Sequence, residues 1–295
     1  MKAVIHLDIG ASHLRATLKP AVPGWGGRAA RKLGRMLQRK PKPVEDTAAT
    51  LVIETASWTT GTTRSETLNA LLEAGAQALQ ALRARHPASL DGCRLVVRTG
   101  VSSSYVGVAP MDLSAPSARS EQQLRAVAKA LAQEALGAEA AAHDVRWRIE
   151  ASQAHVCVLS LESALVAGLQ ALAQAQRMKL ASCQPAIVEL LDSELTQSRR
   201  RRDARTLVWT ELEASGHRHA ALNFVRVVNG STVNAWRTVT PVPTPSTAGD
   251  QWLRPATDRF LIASGADADE QVISCAWPPL IAEGQPPATA MELAA

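Results

Sequence analysis

Apolar positions recur along this chain with two periods, and the changes of period mark its elements. Residues 3–9 (AVIHLDI) and 14–18 (LRATL) are strand-length runs joined by Gly10-Ala11-Ser12-His13, which predicts a tight hairpin. Residues 50–58 (TLVIETASW) read as a third strand. The period then becomes helical. Leu68, Leu71, Leu72, Ala76, Leu79 and Leu82 form one stripe over 64–85, with Ser65-Glu66 as a start and His86-Pro87 as a stop.

The alternation continues with strands at 93–98 and 103–109 and a helix at 119–136 ending at Gly137. Strands at 145–150 and 154–160 follow. Leu161, Leu165, Leu169 and Leu172 then set a helix over 161–178. Residues 185–191 read as a strand, and so do 206–213, 219–228 and 232–239, the last two joined by Asn229-Gly230, a strong hairpin signal. Residues 259–264 (RFLIAS) are expected to be a last strand running into Gly265, and the chain from Pro278 onward is Pro/Ala-rich and expected to be loose. The whole reads as two passes of hairpin, strand and helices, the second poorer in helix.

Composition adds a core built from Ala, Leu and Val. Hydrophobic residues make up 46% of the 295, against 20% charged. Cys93, Cys157, Cys183 and Cys275 show no metal-ligand or redox spacing and read as reduced thiols. Met1-Lys2 leads straight into a strand, and no apolar run approaches the ~20 residues that span a bilayer, so a cytoplasmic location is expected.

Charge changes the picture in two places. Residues 19–43 hold eight Lys or Arg, no acidic residue and four prolines. Their middle can form an amphipathic helix in which Trp25, Arg28, Arg31, Lys32, Arg35, Arg39 and Lys40 would meet an anionic membrane surface. A solvated, disordered insertion is the competing reading. Nucleic acid is not expected, because base-stacking aromatics are not interleaved with the bases. Arg199–Arg202 is read as a loop charge run, and Glu211 and Glu213 as a solvated strand face.

Chemistry is concentrated in the first hairpin. A tight turn aims backbone N–H groups at an anion. Gly10 permits close approach, Ser12 adds a hydroxyl, and a strand-end carboxylate such as Asp8 can hold a hydrated magnesium ion. An ordinary hairpin with a polar turn is the alternative. No GxSxG, Walker A, HExxH or GxGxxG string is present, and no metal site is expected.

The string His6-Leu7-Asp8-Ile9-Gly10-Ala11-Ser12-His13-Leu14-Arg15-Ala16-Thr17-Leu18 resembles the opening of the actin-like ATPase superfamily. The order of elements from Arg98 to Leu172, and the run Arg259–Ala266, extend the resemblance to the cytoplasmic PilM/GspL-type scaffolds of type IV pilus and type II secretion assembly platforms. The resemblance implies an α/β, actin-like (ribonuclease H-type) fold of two mixed-sheet subdomains with the second half shortened. The first half would span 1–180 with an inserted subdomain near 100–160, the second 181–277, and 278–295 would be a tail. Asp8, Gly10, Ser12 and Gly265 would be the residues that touch ATP and magnesium, if these bind at all.

The same resemblance tells against catalysis. The second half should carry a facing hairpin of D-x-G-x-x-x-T type, whereas Leu207-Val208-Trp209-Thr210-Glu211-Leu212-Glu213 offers bulky Trp209 and Leu212 and no Asp-Gly. Loss of one preorganised charge-stabilising group costs ~100–1000-fold in rate, and about half of this site is missing. The reading is a non-catalytic scaffold, with no cofactor or weakly bound ATP and magnesium. It would lie in the cytoplasm, peripheral to the inner membrane. It would bind the cytoplasmic tail of a bitopic assembly protein along 100–160, beside an assembly ATPase. The alternative is an ATP-dependent enzyme of the sugar-kinase type with a divergent second phosphate site.

Overall fold

A computed structural model describes residues 3–19, 52–59, 61, 63–86, 90–114, 119–150, 152, 154–212, 219–242, 252–267 and 270–277. Trp25, Arg28, Arg31, Lys32, Arg35, Arg39, Lys40 and the 278–295 tail lie outside these residues.

The first sheet is built around β1 (Val4–Ile9), which pairs antiparallel with β2 (His13–Lys19) and parallel with β4 (Arg94–Thr99). Strand β3 (Val52–Ser57) closes one edge beside β2. Strand β8 (Lys179–Pro185) closes the other edge beside β4. Two helices bury their apolar stripes on it. Helix α1 (Arg64–Arg85) places Leu71, Ala74, Leu79 and Leu82 against Leu7, Leu14 and Leu95. Its start is fixed by a capping box in which Thr63 accepts from Glu66 N and Glu66 from Thr63 N. Helix α3 (Ser163–Ala175) adds Leu165, Leu169 and Ala173 to the same core.

A second, three-stranded sheet has the order β5 (Ser104–Pro110), β7 (His155–Glu162), β6 (His143–Ile149), all antiparallel. Helix α2 (Glu121–Leu136), capped by Ser120 and ended at Gly137, packs Leu124 and Ala128 onto Val156 and Val158. The alternation along β7 therefore feeds this small core on one face. Cys157, on the other face, joins the core of the second half.

The third sheet has the order β11 (Ser231–Pro241), β10 (His219–Val228), β9 (Ala204–Leu212), β12 (Gln271–Trp277). Asn229-Gly230 makes the tight turn between β10 and β11, both residues at positive φ. Helix α4 (Ile187–Arg201) covers one face with Ile187, Leu191 and Leu195, and α5 (Arg254–Ser264) covers the other with Ala256 and Phe260.

Four expectations change here. Residues 259–264 are the end of helix α5, not a strand, because Ala256 and Phe260, four apart, meet the sheet while Ile262 faces outward. Gly265 is the left-handed cap that stops that helix, its N–H bonded to the Ile262 carbonyl at 3.2 Å. Residues 185–191 split between the end of β8 and the start of α4, and Arg199–Arg201 form the last turn of α4, where cations meet the negative end of the helix. The final strand is β12, paired parallel to β9.

Candidate functional site

Both strands flanking β1 place an arginine directly beside Asp8. Arg15 opposes it across the antiparallel pair and Arg98 across the parallel pair. Asp8 is fully buried. Arg98 holds it with both arms of its fork, Nε to Oδ1 at 2.6 Å and Nη2 to Oδ2 at 2.8 Å. Arg15 donates to Oδ2 from Nη2 at 2.7 Å and from Nε at 3.2 Å. The remaining Arg98 nitrogen, Nη1, reaches Glu189 on α4 at 2.8 Å. Burial disfavours the Arg98 charge, but the hydrogen bonds and fields of Asp8 and Glu189 outweigh it and hold this guanidinium above its ordinary range.

The turn after Asp8 is also occupied by its own chain. Gly10 N donates to the His13 carbonyl at 2.9 Å, and the Ser12 carbonyl accepts from Trp58 N at 2.9 Å. The Ser12 hydroxyl stands 3.5 Å from His13 Nδ1. Asp8, Gly10 and Ser12 thus share one hairpin, while Gly265 caps a different element.

Opposite the hairpin, β9 and β12 of the second half fill the space. The Trp277 indole donates from Nε1 to the Ile9 carbonyl at 2.9 Å, and the Arg98 guanidinium lies 5.5 Å from the centre of its ring. Trp209 lies against Trp277 with centroids 5.3 Å apart. Glu211 is buried, not solvated, and its Oε2 accepts from Ser102 N at 2.6 Å. Period 2 explains it: Trp209 and Glu211 share one face of β9, turned toward the first half.

An open groove lies elsewhere, along the three-stranded sheet. It encloses about 890 Å³ between α2, β6 and α3. Val166 and Ala167 of α3 line one side, and Arg125 of α2 with Arg146 and Trp147 of β6 the other. Arg125 is tied to Glu121 at 2.8 Å and lies 5.9 Å from the Trp147 ring centre, and Arg146 is tied to Asp144 at 2.9 Å. An ion pair between Arg64 and Glu162 joins α1 to the end of β7. His143 contacts Ser160 Oγ at 3.1 Å, and burial holds its pKa below the ordinary histidine value. β6 is an outer strand, so among the described residues one of its edges carries no paired strand.

Among the described residues no group of three His, Cys, Asp or Glu is placed to hold a metal ion, and no helix is long and apolar enough to cross a membrane. Sequence reasoning placed Asp8 but missed Arg98, Glu189 and Trp277. The signal that was available for Arg98 is its position at the end of a strand parallel to β1, in register with Asp8.

No family model and no curated protein matches the chain. Solved structures do. The PilM–PilN type IV pilus biogenesis complex aligns over 92% of this chain and 81% of its own, at 11% identity and a TM-score of 0.52. The cytoplasmic domain of EpsL, an inner-membrane component of the type II secretion system of Vibrio cholerae, aligns over 98% and 90%, at 10% identity and a TM-score of 0.47. A Bacteroides thetaiotaomicron protein of actin-like ATPase fold and unknown function aligns over 92% and 81%, at 9% identity and a TM-score of 0.49. The fold of this chain is the actin-like fold, as its opening hairpin implied, and at 11% identity the likeness is one of fold alone.

Proposed function

We propose that this protein is a non-catalytic actin-like scaffold of an inner-membrane assembly platform, of the kind that serves a type IV pilus or type II secretion system. It works by holding the cytoplasmic tail of a single-span membrane partner in the groove between α2, β6 and α3. The observation that carries the reading is a contrast between two places. Asp8, the carboxylate that the resemblance pointed to as a magnesium ligand, is held by two guanidiniums, while the inserted sheet keeps an open groove with, among the described residues, an unpaired strand edge.

Asp8 does not fit a magnesium ion in this arrangement. Three guanidinium bonds end on its Oδ2 and one on Oδ1, and a hydrated cation would stand among like charges. Bound ATP or magnesium is therefore no part of the mechanism, and no phosphoryl step is assigned to any residue. The groove suits an extended peptide. Backbone groups on the free edge of β6 supply main-chain pairing, Trp147 and Val166 supply apolar contact, and the flanking Arg and Glu side chains form a polar rim. The fold likeness to a chain of the PilM–PilN type IV pilus biogenesis complex agrees with a role in such an assembly. The same reading places the protein in the cytoplasm against the inner membrane, with the bases of 19–43 facing anionic lipid, and beside an assembly ATPase.

Two measurements test this. Fluorescence anisotropy with labelled cytoplasmic tails of single-span inner-membrane proteins from the source cell is expected to find a tail that binds with micromolar affinity and is displaced by its unlabelled form. Titration calorimetry with Mg-ATP is expected to give no heat, and no ADP is expected to form. Tight Mg-ATP binding with turnover would establish the sugar-kinase-type alternative instead.

A further inference from the structure

The two halves of the chain meet in a packed core. Trp277 belongs to the second half by its strand and to the first by its hydrogen bond, which runs to Ile9 at the end of the central strand of the first sheet. It is buried, and it packs in one cluster with Trp209, Leu207 and Ile273 of the second half and with Val101, which follows β4 of the first. Arg98 extends the seam by gripping Asp8 on β1, Glu189 on α4 and the face of Trp277 together. Glu211 completes it. Its carboxylate binds Ser102 N and lies so close over Gly100 that any Cβ there would come within 2.0 Å of Oε1. A side chain at position 100 would have to push that carboxylate aside.

We propose that Trp277 is a bolt that locks the two halves into one rigid body. The hinge closure open to a two-lobed fold is absent while the indole is seated. The geometry also says where release would start. Among the described residues β12 is the outer strand of its sheet, paired only with β9, so its last residue can withdraw and loosen the seam without unpicking either sheet. The bolt does not depend on what the α2–β6–α3 groove binds.

Hydrogen exchange on the full chain tests this, with the Ser102 amide as reporter, because its bond to Glu211 crosses the seam. In Trp277→Ala, exchange of peptides containing Ser102 is expected to rise at least tenfold, while peptides from β1 and β2 keep their protection. Thermal unfolding is expected to split from one transition into two. Trp277→Phe keeps a ring in the cluster but loses the bond to Ile9, and is expected to fall between. It also serves if the alanine variant does not fold. Unchanged Ser102 exchange in either folded variant, or a single transition in Trp277→Ala, would overturn the bolt. Anisotropy with the groove peptide is read in the same variants. Retained peptide binding with a loosened seam supports both proposals. Absence of any peptide binding by the wild-type protein removes the scaffold reading and leaves the bolt standing.

Discussion

Arg98 and Asp8, ninety residues apart, sit side by side on neighbouring parallel strands and meet through two hydrogen bonds of 2.6 and 2.8 Å. Removing one member of a buried pair costs about 3–5 kcal/mol, because the partner charge is left uncompensated. Asp8→Asn leaves two guanidiniums facing a neutral amide. It is expected to lower the unfolding free energy by about that amount. It is also expected to gain an anion site, so that inorganic phosphate raises its melting temperature more than that of the parent protein. A working nucleotide site would behave in the opposite sense, losing ligand stabilisation with the carboxylate. Melting curves with and without phosphate separate the two.

Those two residues also mark what the sequence could convey. α1 was legible because six Leu or Ala positions repeat at helical spacing, and the β10–β11 hairpin because Asn229-Gly230 accepts positive φ. Asp8-Ile9-Gly10 was legible as a hairpin of this fold. Its neighbourhood was not, since a strand does not state which strand will lie beside it, and Arg98 gains its meaning only from the register with β1. Residues 259–264 failed for another reason. Six mostly apolar residues are too few to tell period 2 from period 3.6, and the helix shows itself only with Pro255 near its start and Gly265 at its end. Trp277 is beyond local reasoning altogether, because its partner Ile9 is 268 positions away.

The thiols give a prediction about reactivity. Burial pushes Cys157 and Cys183 up to about 12 and Cys275 up to about 11. The thiolate is the nucleophile, so these three carry almost none at pH 8. Iodoacetamide at that pH is expected to leave all three unlabelled in the native protein and to label them once urea unfolds it. Rapid native alkylation at any of the three, read by peptide mass spectrometry, would contradict the packing described here.

Two histidines set a pH dependence. Burial holds His13 and His143 below the ordinary value of 6.5, so the folded state binds their protons less readily than the unfolded state. For His143 the carboxylates of Glu162 and Glu139 oppose that shift, while Arg64 and Arg237 reinforce it. A lowered histidine pKa means that the unfolded chain gains protons first on acidification. Stability is therefore expected to be level above pH 7, and to fall as pH drops through 6.5 toward the lower folded values. The double variant His13→Gln/His143→Gln is expected to flatten that decline between pH 7 and 5, measured by urea unfolding. An unaltered slope would assign the decline to other groups.

The groove supplies the prediction closest to function. Ala167 lies on the exposed face of α3, lines the groove and belongs to no buried cluster. Ala167→Trp projects a large ring into the space beside the free edge of β6 and leaves the core untouched, so the melting temperature is expected to stay within a degree or two. Peptide affinity is expected to fall at least tenfold, because the ring takes the place of an added strand. Val145→Pro works on the opposite wall. If the Val145 amide faces the free edge, proline removes a donor that an added strand would use, and peptide affinity is expected to fall at unchanged stability. If it faces β7, proline breaks a ladder bond and the melting temperature is expected to fall, so the two variants together separate occlusion from unfolding. A tail that binds Ala167→Trp as tightly as the parent would show that the partner docks elsewhere. Full loss of binding in Ala167→Trp at unchanged stability ties recognition to this groove.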